Sequence, residues 1–205
     1  MRILVVSDSH GNDGNLRRAI LAQPKAEVVI HLGDGEEELL RAKRSFPEKM
    51  FLAVRGNCDW GSALPPVGEY TAAGVKIFYT HGHLYGVKSG QYTIVCAARE
   101  RKARVLLYGH THNAFTDYEE GLYMMNPGSL NGWQATYGTL DIPGHCDKHC
   151  KTPVKTPCFE LTRNTKNGNL NHRKLSIIPG GFWAPGKEGK VCYDRIRKMA
   201  AAVAG

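Results

Sequence analysis

The sequence lacks long hydrophobic runs. None of its apolar stretches approaches the roughly 18 residues that a helix needs to cross a membrane, so we expect no membrane contact. Its first ten residues, MRILVVSDSH, contain a run of four aliphatic residues that polar and acidic groups follow at once. Such a start is unlike a secretory signal peptide. These absences predict a cytoplasmic protein.

Internal repeats are also absent. The first two thirds of the chain have almost no net charge. Residues 1–140 contain 15 lysines and arginines against 14 aspartates and glutamates, whereas residues 141–205 contain 12 against 5. The net charge of +8 therefore lies mainly in the last third. A basic end could attract nucleic acid, but no basic patch interleaved with aromatic residues is visible. A solvated surface is the favoured interpretation.

The six cysteines could form disulfides in a secreted chain, but nothing in the sequence points to secretion. Reduced thiols are therefore expected. An alternative is a structural Zn²⁺ site made by the last four: Cys146, Cys150, Cys158 and Cys192. Their spacing is not a strong zinc-finger pattern, so a loop with reduced thiols is favoured over this alternative.

The first 60 residues alternate short apolar runs with helical patterns. Strands are predicted at RILVVS, AEVVIHLGD and MFLAVRGNCD, and helices at GNDGNLRRAILAQ and GEEELLRAKRSF. This β-α-β-α-β order predicts parallel strands with helices on the face of the sheet. Further short strands follow at VGEYTAAGVKIFYT, RVLLY, FTDYEEGLYMMNPGS and QATYGTLDI, with a helix at SGQYTIVCAARERKA. They indicate a second sheet packed on the first.

The length suits a single domain over residues 1–205, with two appendages. Residues 143–168 are rich in Cys, Pro and Lys and are predicted to form a loop or insertion. A final strand pair could form at CFELTR and HRKLSIIP. Residues 187–205 have the periodicity and alanine content of a basic C-terminal helix.

Polar side chains follow five of the predicted strands at their carboxyl ends. They are Asp8 and His10, Asp34, Asn57, His81 and His83, and His110 and His112. In open α/β sheets, ligands bind outside the carboxyl ends of the strands. Any one of these residues would usually be a turn or surface residue. The whole set would leave costly unsatisfied groups unless something binds them.

Mixed imidazole and carboxylate ligands suit divalent Mn, Fe, Co, Ni or Zn, whereas Mg and Ca prefer oxygen alone. An aspartate can bridge two such ions through its two oxygens. Two ions about 3.5–4 Å apart form the clamp that many enzymes use to displace groups at phosphorus. The ligand types therefore favour a pair of transition-metal ions, with Mn²⁺ first and Ni, Co, Fe or Zn as alternatives.

The blocks DSH at 8–10, GD at 33–34, GNCD at 56–59, HGH at 81–83 and GHTH at 109–112 resemble the signature blocks of the calcineurin-like metallophosphoesterases. Their order and spacing, with NPGS at 126–129, are similar to the small bacterial and archaeal phosphodiesterase branch. The resemblance covers about residues 1–142. It implies two facing mixed β-sheets flanked by helices, a four-layer α/β/β/α sandwich.

The resemblance also implies roles for individual residues. One ion would be held by Asp8, His10, Asp34 and His112, and the other by Asp34, Asn57, His81 and His110. Thr111 would point away from the ions because side chains alternate along a strand. A water or hydroxide that bridges the ions would attack phosphorus in line, without a protein nucleophile.

Four further polar residues lie beside the predicted ligands. Asn12 and His83 could contact the phosphate or leaving group, although His83 could equally support a ligand. His31 is expected to be a structural histidine, and Asp59 a turn or supporting residue rather than a ligand.

Many phosphomonoesterases of the superfamily have His where this chain has Cys58, and a thiol replaces imidazole poorly near neutral pH. We therefore expect an enzyme that hydrolyses small phosphodiesters with good leaving groups. Cys58 is expected to contact the substrate. Two alternatives stay open. The basic end could make the chain a nuclease, or the chain could be a non-catalytic scaffold like the retromer subunit of the same fold. A homo-oligomer is compatible with all three.

Overall fold

A computed structural model describes residues 1–142, 158–164 and 170–175. Its strands form two sheets. The first contains β1 (Arg2–Val6), β2 (Ala26–His31), β3 (Met50–Ala53), β9 (Thr136–Asp141), β10 (Cys158–Asn164) and β11 (Leu170–Leu175). The second contains β4 (Val67–Ala72), β5 (Val75–Thr80), β6 (Val105–Tyr108), β7 (Ala114–Glu119) and β8 (Leu122–Pro127). The helices are α1 (Asp13–Ala22), α2 (Glu36–Ser45) and α3 (Tyr92–Glu100), with a 3-10 turn at His83–Tyr85.

Both sheets are mixed. The first has the order β11-β10-β9-β1-β2-β3, in which β1, β2 and β3 are parallel and the β1–β9, β9–β10 and β10–β11 pairs are antiparallel. The second has the order β4-β5-β6-β8-β7, with parallel β5, β6 and β8 and antiparallel edge strands. The parallel strands of each sheet therefore present their carboxyl ends at one edge.

Alternation along the central strands builds a layered core. Ile3 and Val5 of β1 lie in a buried cluster with residues of the second sheet such as Ile77 and Leu107, so this cluster fills the space between the sheets. Their neighbours Leu4 and Val6 pack instead with side chains of α1 and α2, including Leu16, Ile20 and Ala42. Burial of each large aliphatic side chain contributes about 2 kcal/mol.

The outer face of the second sheet is covered in the same way. Phe78 and Leu106 pack on Ile94 and Ala98 of α3. The two sheets therefore face each other and the helices lie outside them, which confirms the predicted four-layer fold. The strand predicted at QATYGTLDI with those of the second sheet is β9, which pairs with β1 and belongs to the first sheet. Among the described residues, the structure contains no helix with the length and apolarity to span a membrane.

The structure describes only part of the C-terminal region for which predictions were made. β10 and β11 form the antiparallel pair predicted for CFELTR and HRKLSIIP, with β11 beginning two residues earlier than predicted, at Leu170. β10 begins at Cys158, inside the 143–168 segment predicted as an insertion, and it pairs with β9, so part of that segment extends the first sheet. The predicted helix at 187–205 lies outside the described residues. So do Cys146, Cys150 and Cys192, and no observation supports the alternative of a zinc site formed by them with Cys158.

Candidate metal centre

All seven predicted ligands lie in loops that follow the carboxyl ends of parallel strands. The first sheet supplies Asp8 and His10 after β1, Asp34 after β2 and Asn57 after β3. The second sheet supplies His81 after β5, and His110 and His112 after β6. The structure brings these residues together at one edge, where the two sheets meet. Asp8, Asp34 and His81 are buried, whereas His10, Asn57 and His112 are exposed at the rim.

A first cluster of ligand atoms forms around Asp8. Its Oδ1 lies 3.0 Å from His112 Nε2 and 3.7 Å from His10 Nε2. The two imidazoles approach each other, with 3.3 Å between their Nε2 atoms. His10 Nε2 also lies 3.8 Å from Asp34 Oδ2. Four potential donors therefore converge within the span of one cation.

A second cluster forms around His81. Its Nε2 lies 3.4 Å from Asp34 Oδ2, 3.1 Å from Asn57 Oδ1 and 3.2 Å from His110 Nδ1. The same nitrogen is 3.9 Å from Asp8 Oδ1. The ring orientation is fixed on the opposite side, where Nδ1 donates to the Leu32 carbonyl at 2.7 Å. That bond leaves Nε2 as the atom that faces the cluster.

Asp34 belongs to both clusters through one oxygen. Its Oδ1 accepts the backbone N–H of Cys58 at 2.7 Å, and its Oδ2 faces both His10 and His81. Burial raises the pKa of this carboxyl, but hydrogen bonds from His81 and Cys58 outweigh it and hold the pKa well below its usual range. Asp34 is therefore a charged carboxylate with one oxygen between the two clusters.

Asp8 carries a buried oxygen that the described residues leave without a hydrogen bond. Its Oδ2 accepts from Ser7 Oγ at 2.5 Å and from the His110 backbone N–H at 3.1 Å. Its Oδ1 is buried and receives none from the described part of the chain. A buried carboxylate oxygen without a partner is costly unless a cation or a hydrogen bond satisfies it. The orientation of Oδ1 toward His10, His81 and His112 fits a bound cation.

The backbone at these ligands is strained. A non-glycine residue at positive φ is uncommon and costs about 1–3 kcal/mol. Five of the seven predicted ligands adopt that conformation, with φ between 43° and 67°: Asp8, His10, Asp34, His110 and His112. Because such strain persists only where the surroundings enforce it, its concentration here indicates a functional site.

Asp59 ties the loops after β2 and β3 together. Its Oδ1 accepts the backbone N–H groups of Gly35 and Glu36 at 2.9 and 3.1 Å, and its Oδ2 accepts those of Asp34 and Gly56 at 2.7 and 2.8 Å. Burial raises the pKa of Asp59, but these four donors outweigh it and lower the pKa. As predicted, Asp59 supports the centre rather than facing it. The four hydrogen bonds that Asp59 accepts could not be predicted from the sequence.

The NPGS block supports the loops from the other side. Asn126 Nδ2 donates to the Gly109 carbonyl at 2.8 Å and to Thr111 Oγ1 at 3.0 Å. Ser129 Oγ donates to the Asp8 carbonyl at 2.8 Å. This block therefore positions both the GHTH loop and the loop after β1.

Two motif glycines are required by close packing. A Cβ at Gly56 would lie 1.9 Å from Asp34 Oδ1, and a Cβ at Gly109 would lie 1.9 Å from Ser7 Oγ. Contacts this short are impossible, so the glycines of GN and GH allow the loops to approach the two buried aspartates.

The GHTH loop differs from the sequence-based prediction in what determines the orientation of Thr111. Thr111 does turn toward Asn126 rather than into the ligand clusters. The predicted reason, alternation of side chains along a strand, was wrong because β6 ends at Tyr108, before Thr111. The positive φ angles of His110 and His112 orient the two imidazoles instead.

The remaining polar residues have distinct environments. Asn12 caps α1, where its Oδ1 accepts the Asn15 N–H at 3.0 Å. His83 Nδ1 is buried and has no hydrogen-bond partner among the described residues. Burial, then the positive charge of His81, lowers the pKa of His83. The same causes, in the same order, lower the pKa of His110 to about 4, so both imidazoles are neutral near pH 7.

Cys58 and His31 complete the predicted set. Cys58 is exposed, and its Sγ accepts from Asn57 Nδ2 at 3.2 Å. Partial desolvation of the thiol, then the negative charge of Asp34, raises its pKa. His31 is a structural histidine, as predicted. Its Nδ1 accepts from the Gly33 N–H at 3.2 Å and its Nε2 lies 3.2 Å from Ser9 Oγ.

Known proteins resemble this chain over the same region. A probable metallophosphoesterase of Bacillus subtilis, YsnB, is 37% identical over 132 residues, which cover 63% of this chain and 75% of YsnB. The vacuolar protein sorting-associated protein 29 of Schizosaccharomyces pombe is 32% identical over 138 residues, 64% of this chain and 73% of that protein. The phosphodiesterase YfcE of Escherichia coli K12 is 29% identical over 168 residues, 69% and 88% of the two chains.

A sequence model of one family matches the part of the chain that builds both clusters. Its description is "Calcineurin-like phosphoesterase superfamily domain", and it spans residues 1–144. The matched region includes every ligand candidate and the NPGS block. The chain therefore belongs to the calcineurin-like phosphoesterase superfamily, as the motif blocks predicted.

Proposed function

We propose that this protein is a phosphodiesterase that holds two divalent cations at the edge where its sheets meet. Asp8, His10, Asp34 and His112 would hold one ion. Asp34, Asn57, His81 and His110 would hold the other. The observation that carries the proposal is the pair of buried carboxylate oxygens, Asp8 Oδ1 and Asp34 Oδ2, which converge with imidazole nitrogens.

The donor set also bears on the choice of metal. The proposed ligands are four imidazoles, two carboxylates and one amide, a mixture that suits divalent Mn, Fe, Co, Ni or Zn, and Mn²⁺ is the ion we propose first. Two divalent ions, when bound, would supply positive charge that polarises the phosphoryl group and makes water more acidic. The contribution of the protein is to hold the donors in place, and its strained loops and their hydrogen bonds do this before substrate arrives.

Asn12 and His83 are proposed to contact the phosphate or the leaving group. The ring of His83 lies 5.3 Å from that of His81 and 6.1 Å from that of His110, close to the second cluster. Its lowered pKa favours a neutral imidazole, which can donate one hydrogen bond to an oxygen. Because the helix cap occupies Asn12 Oδ1, its Nδ2 is the atom that would donate to the substrate.

The proposed substrate is a small phosphodiester with a good leaving group. Cleavage with a poor leaving group benefits from a general acid whose pKa lies near 7. The residue after Gly56 and Asn57 is a cysteine, whose ordinary pKa of about 8.5 makes its thiol a weaker acid than the imidazolium of a histidine. The name of the relative YfcE, a phosphodiesterase, points to the same class.

The proposal is tested with the purified full chain, bis(p-nitrophenyl) phosphate and Mn²⁺. We expect hydrolysis that a chelator abolishes and fresh Mn²⁺ restores. The variants Asp34→Ala and His81→Ala should lose it, whereas Glu48→Gln, at an exposed position, should keep it. Full activity in Asp34→Ala or His81→Ala would reject the proposed ligands.

A second candidate is a non-catalytic scaffold, because a sorting-associated protein is 32% identical to this chain. The two functions predict different results in the same assay. A scaffold could bind cations at the same residues and would still release no nitrophenol above the metal-only blank with any of the five metals. Hydrolysis that depends on Asp34 would exclude a purely structural role.

A further inference from the structure

Cys58 lies among the candidate ligands rather than beside them. One ligand atom each from His10, Asp34 and Cys58 lies within 4.8 Å of the other two. The thiol is exposed, in the loop that begins after β3 and carries Asn57. An exposed side chain in a loop can change its χ1 angle slightly and so bring its sulfur closer to a cation bound by His10 and Asp34.

One contact of the neighbouring His10 and one hydrogen bond of the sulfur relate the thiol to the space that a cation would occupy. The buried Asp8 Oδ1, which no hydrogen bond from the described residues satisfies, lies 3.7 Å from His10 Nε2 and so faces the same space. The sulfur also accepts the Asn57 Nδ2 hydrogen bond at 3.2 Å, and the Oδ1 of that amide lies 3.1 Å from His81 Nε2. The amide therefore holds the sulfur next to the ligand clusters.

We propose that Cys58 Sγ is a further ligand of the cation held by His10 and Asp34. Coordination would replace the S–H bond with a sulfur–metal bond and release the proton to solvent. Thiolate is a soft ligand, so its presence would shift the preference of this site from Mn²⁺ toward Co²⁺ and Zn²⁺. The inference rests on the proposed metal centre but does not require that the protein hydrolyse anything.

Cobalt provides a readout that is independent of activity. The full chain is titrated with Co²⁺ under reducing, anaerobic conditions, and absorption is followed in the near ultraviolet and the visible. Bound Co²⁺ gives visible d–d bands with any ligand, whereas an intense near-ultraviolet charge-transfer band requires coordinated sulfur. We expect both in the wild type and in the control Cys96→Ser, which removes a half-buried thiol on α3.

In Cys58→Ser we expect the d–d bands to persist and the charge-transfer band to disappear. Cys58→His should likewise show d–d bands alone, because imidazole can take the place of the thiolate. A charge-transfer band of undiminished intensity in Cys58→Ser would place the sulfur elsewhere in the chain and overturn the inference. So would its absence from the wild type, or a failure of both variants to bind cobalt.

Competition supplies a second measurement. The ratio of Zn²⁺ to Mn²⁺ affinity should fall at least about tenfold in Cys58→Ser, because only the soft ligand is lost. An unchanged ratio would contradict coordination by Cys58. Metal-dependent hydrolysis without the cobalt–sulfur band would reject this inference alone, and the band without hydrolysis would reject the proposed function alone.

Discussion

The backbone N–H of Cys58 donates to Asp34 Oδ1 at 2.7 Å, so Asp34 presents its other oxygen to the ligand clusters. That oxygen, Oδ2, lies 3.8 Å from His10 Nε2 and 3.4 Å from His81 Nε2. Asp34 Oδ2 therefore lies between the two clusters of donors. The hydrogen bond from Cys58 to Oδ1 fixes the carboxylate in the orientation that turns Oδ2 toward them. Asp34 would therefore contribute to a two-cation site through Oδ2, whereas the sequence alone predicts a contribution from both of its oxygens.

The first prediction concerns the charge of Asp34. Asp34→Asn keeps the shape and an acceptor for Cys58 N–H but removes the negative charge between the clusters. We expect the bound Mn²⁺ to fall from two ions per chain to one or fewer. Diesterase activity should fall by more than the 10–100-fold that is typical of residues that support ligands. Metal analysis after gel filtration and steady-state kinetics measure both, with Glu48→Gln as the control.

The second prediction concerns Asp59, which accepts four backbone N–H groups from two loops. Asp59→Ala leaves these donors without their acceptor. We expect a loss of about 3 kcal/mol in the free energy of unfolding, together with weaker metal binding. Urea denaturation in the presence of a chelator separates stability from metal binding. A change no larger than that of Glu48→Gln would show that the four contacts are not formed.

Much of this candidate centre could be predicted from the sequence because the predicted ligands follow a simple rule. The strands are recognisable by their apolar runs, and the predicted ligands lie one to four residues after the strands end. Asp59 could be identified only as a supporting residue. Its partners Gly35 and Glu36 are more than twenty positions away in the chain, and only the fold brings their N–H groups to one carboxylate. The reason predicted for the orientation of Thr111 was also wrong. The strand ends at Tyr108, so the geometry of the following loop sets that orientation.

A third prediction tests the NPGS block. Asn126 is buried and bonds Gly109, Thr111 and the backbone N–H of Gly128. Asn126→Ala should lower activity about 10–100-fold without removing any proposed ligand, because the GHTH loop loses its support. We also expect a stability loss of about 2 kcal/mol. Kinetics and thermal unfolding of the same preparation provide the measurements, and wild-type activity in a destabilised variant would contradict this role.

The fourth prediction is a pH dependence of stability that arises from His31. Burial lowers the pKa of His31 from 6.5 to about 4 in the folded chain, although nearby carboxylates such as Asp59 oppose the shift. Between these values the unfolded chain binds more protons than the folded chain, so stability falls as the pH falls from 6.5 to about 4. Above 6.5 the contribution of His31 is complete.

His31→Gln removes this dependence. From about pH 7 to pH 5, the wild type should lose about 2 kcal/mol more of its unfolding free energy than the variant does. Urea denaturation of both chains in chelator across this range measures the difference, and the histidines common to both cancel. Two parallel curves would show that His31 titrates alike in the folded and unfolded chains.

The most direct measurement is the position of bound metal. A crystal grown with Mn²⁺ should show two anomalous-scattering peaks about 3.5–4 Å apart, one on each side of Asp34 Oδ2. One peak should contact Asp8, His10 and His112, and the other should contact Asn57, His81 and His110. A single peak, or peaks away from these side chains, would contradict the proposed two-cation centre.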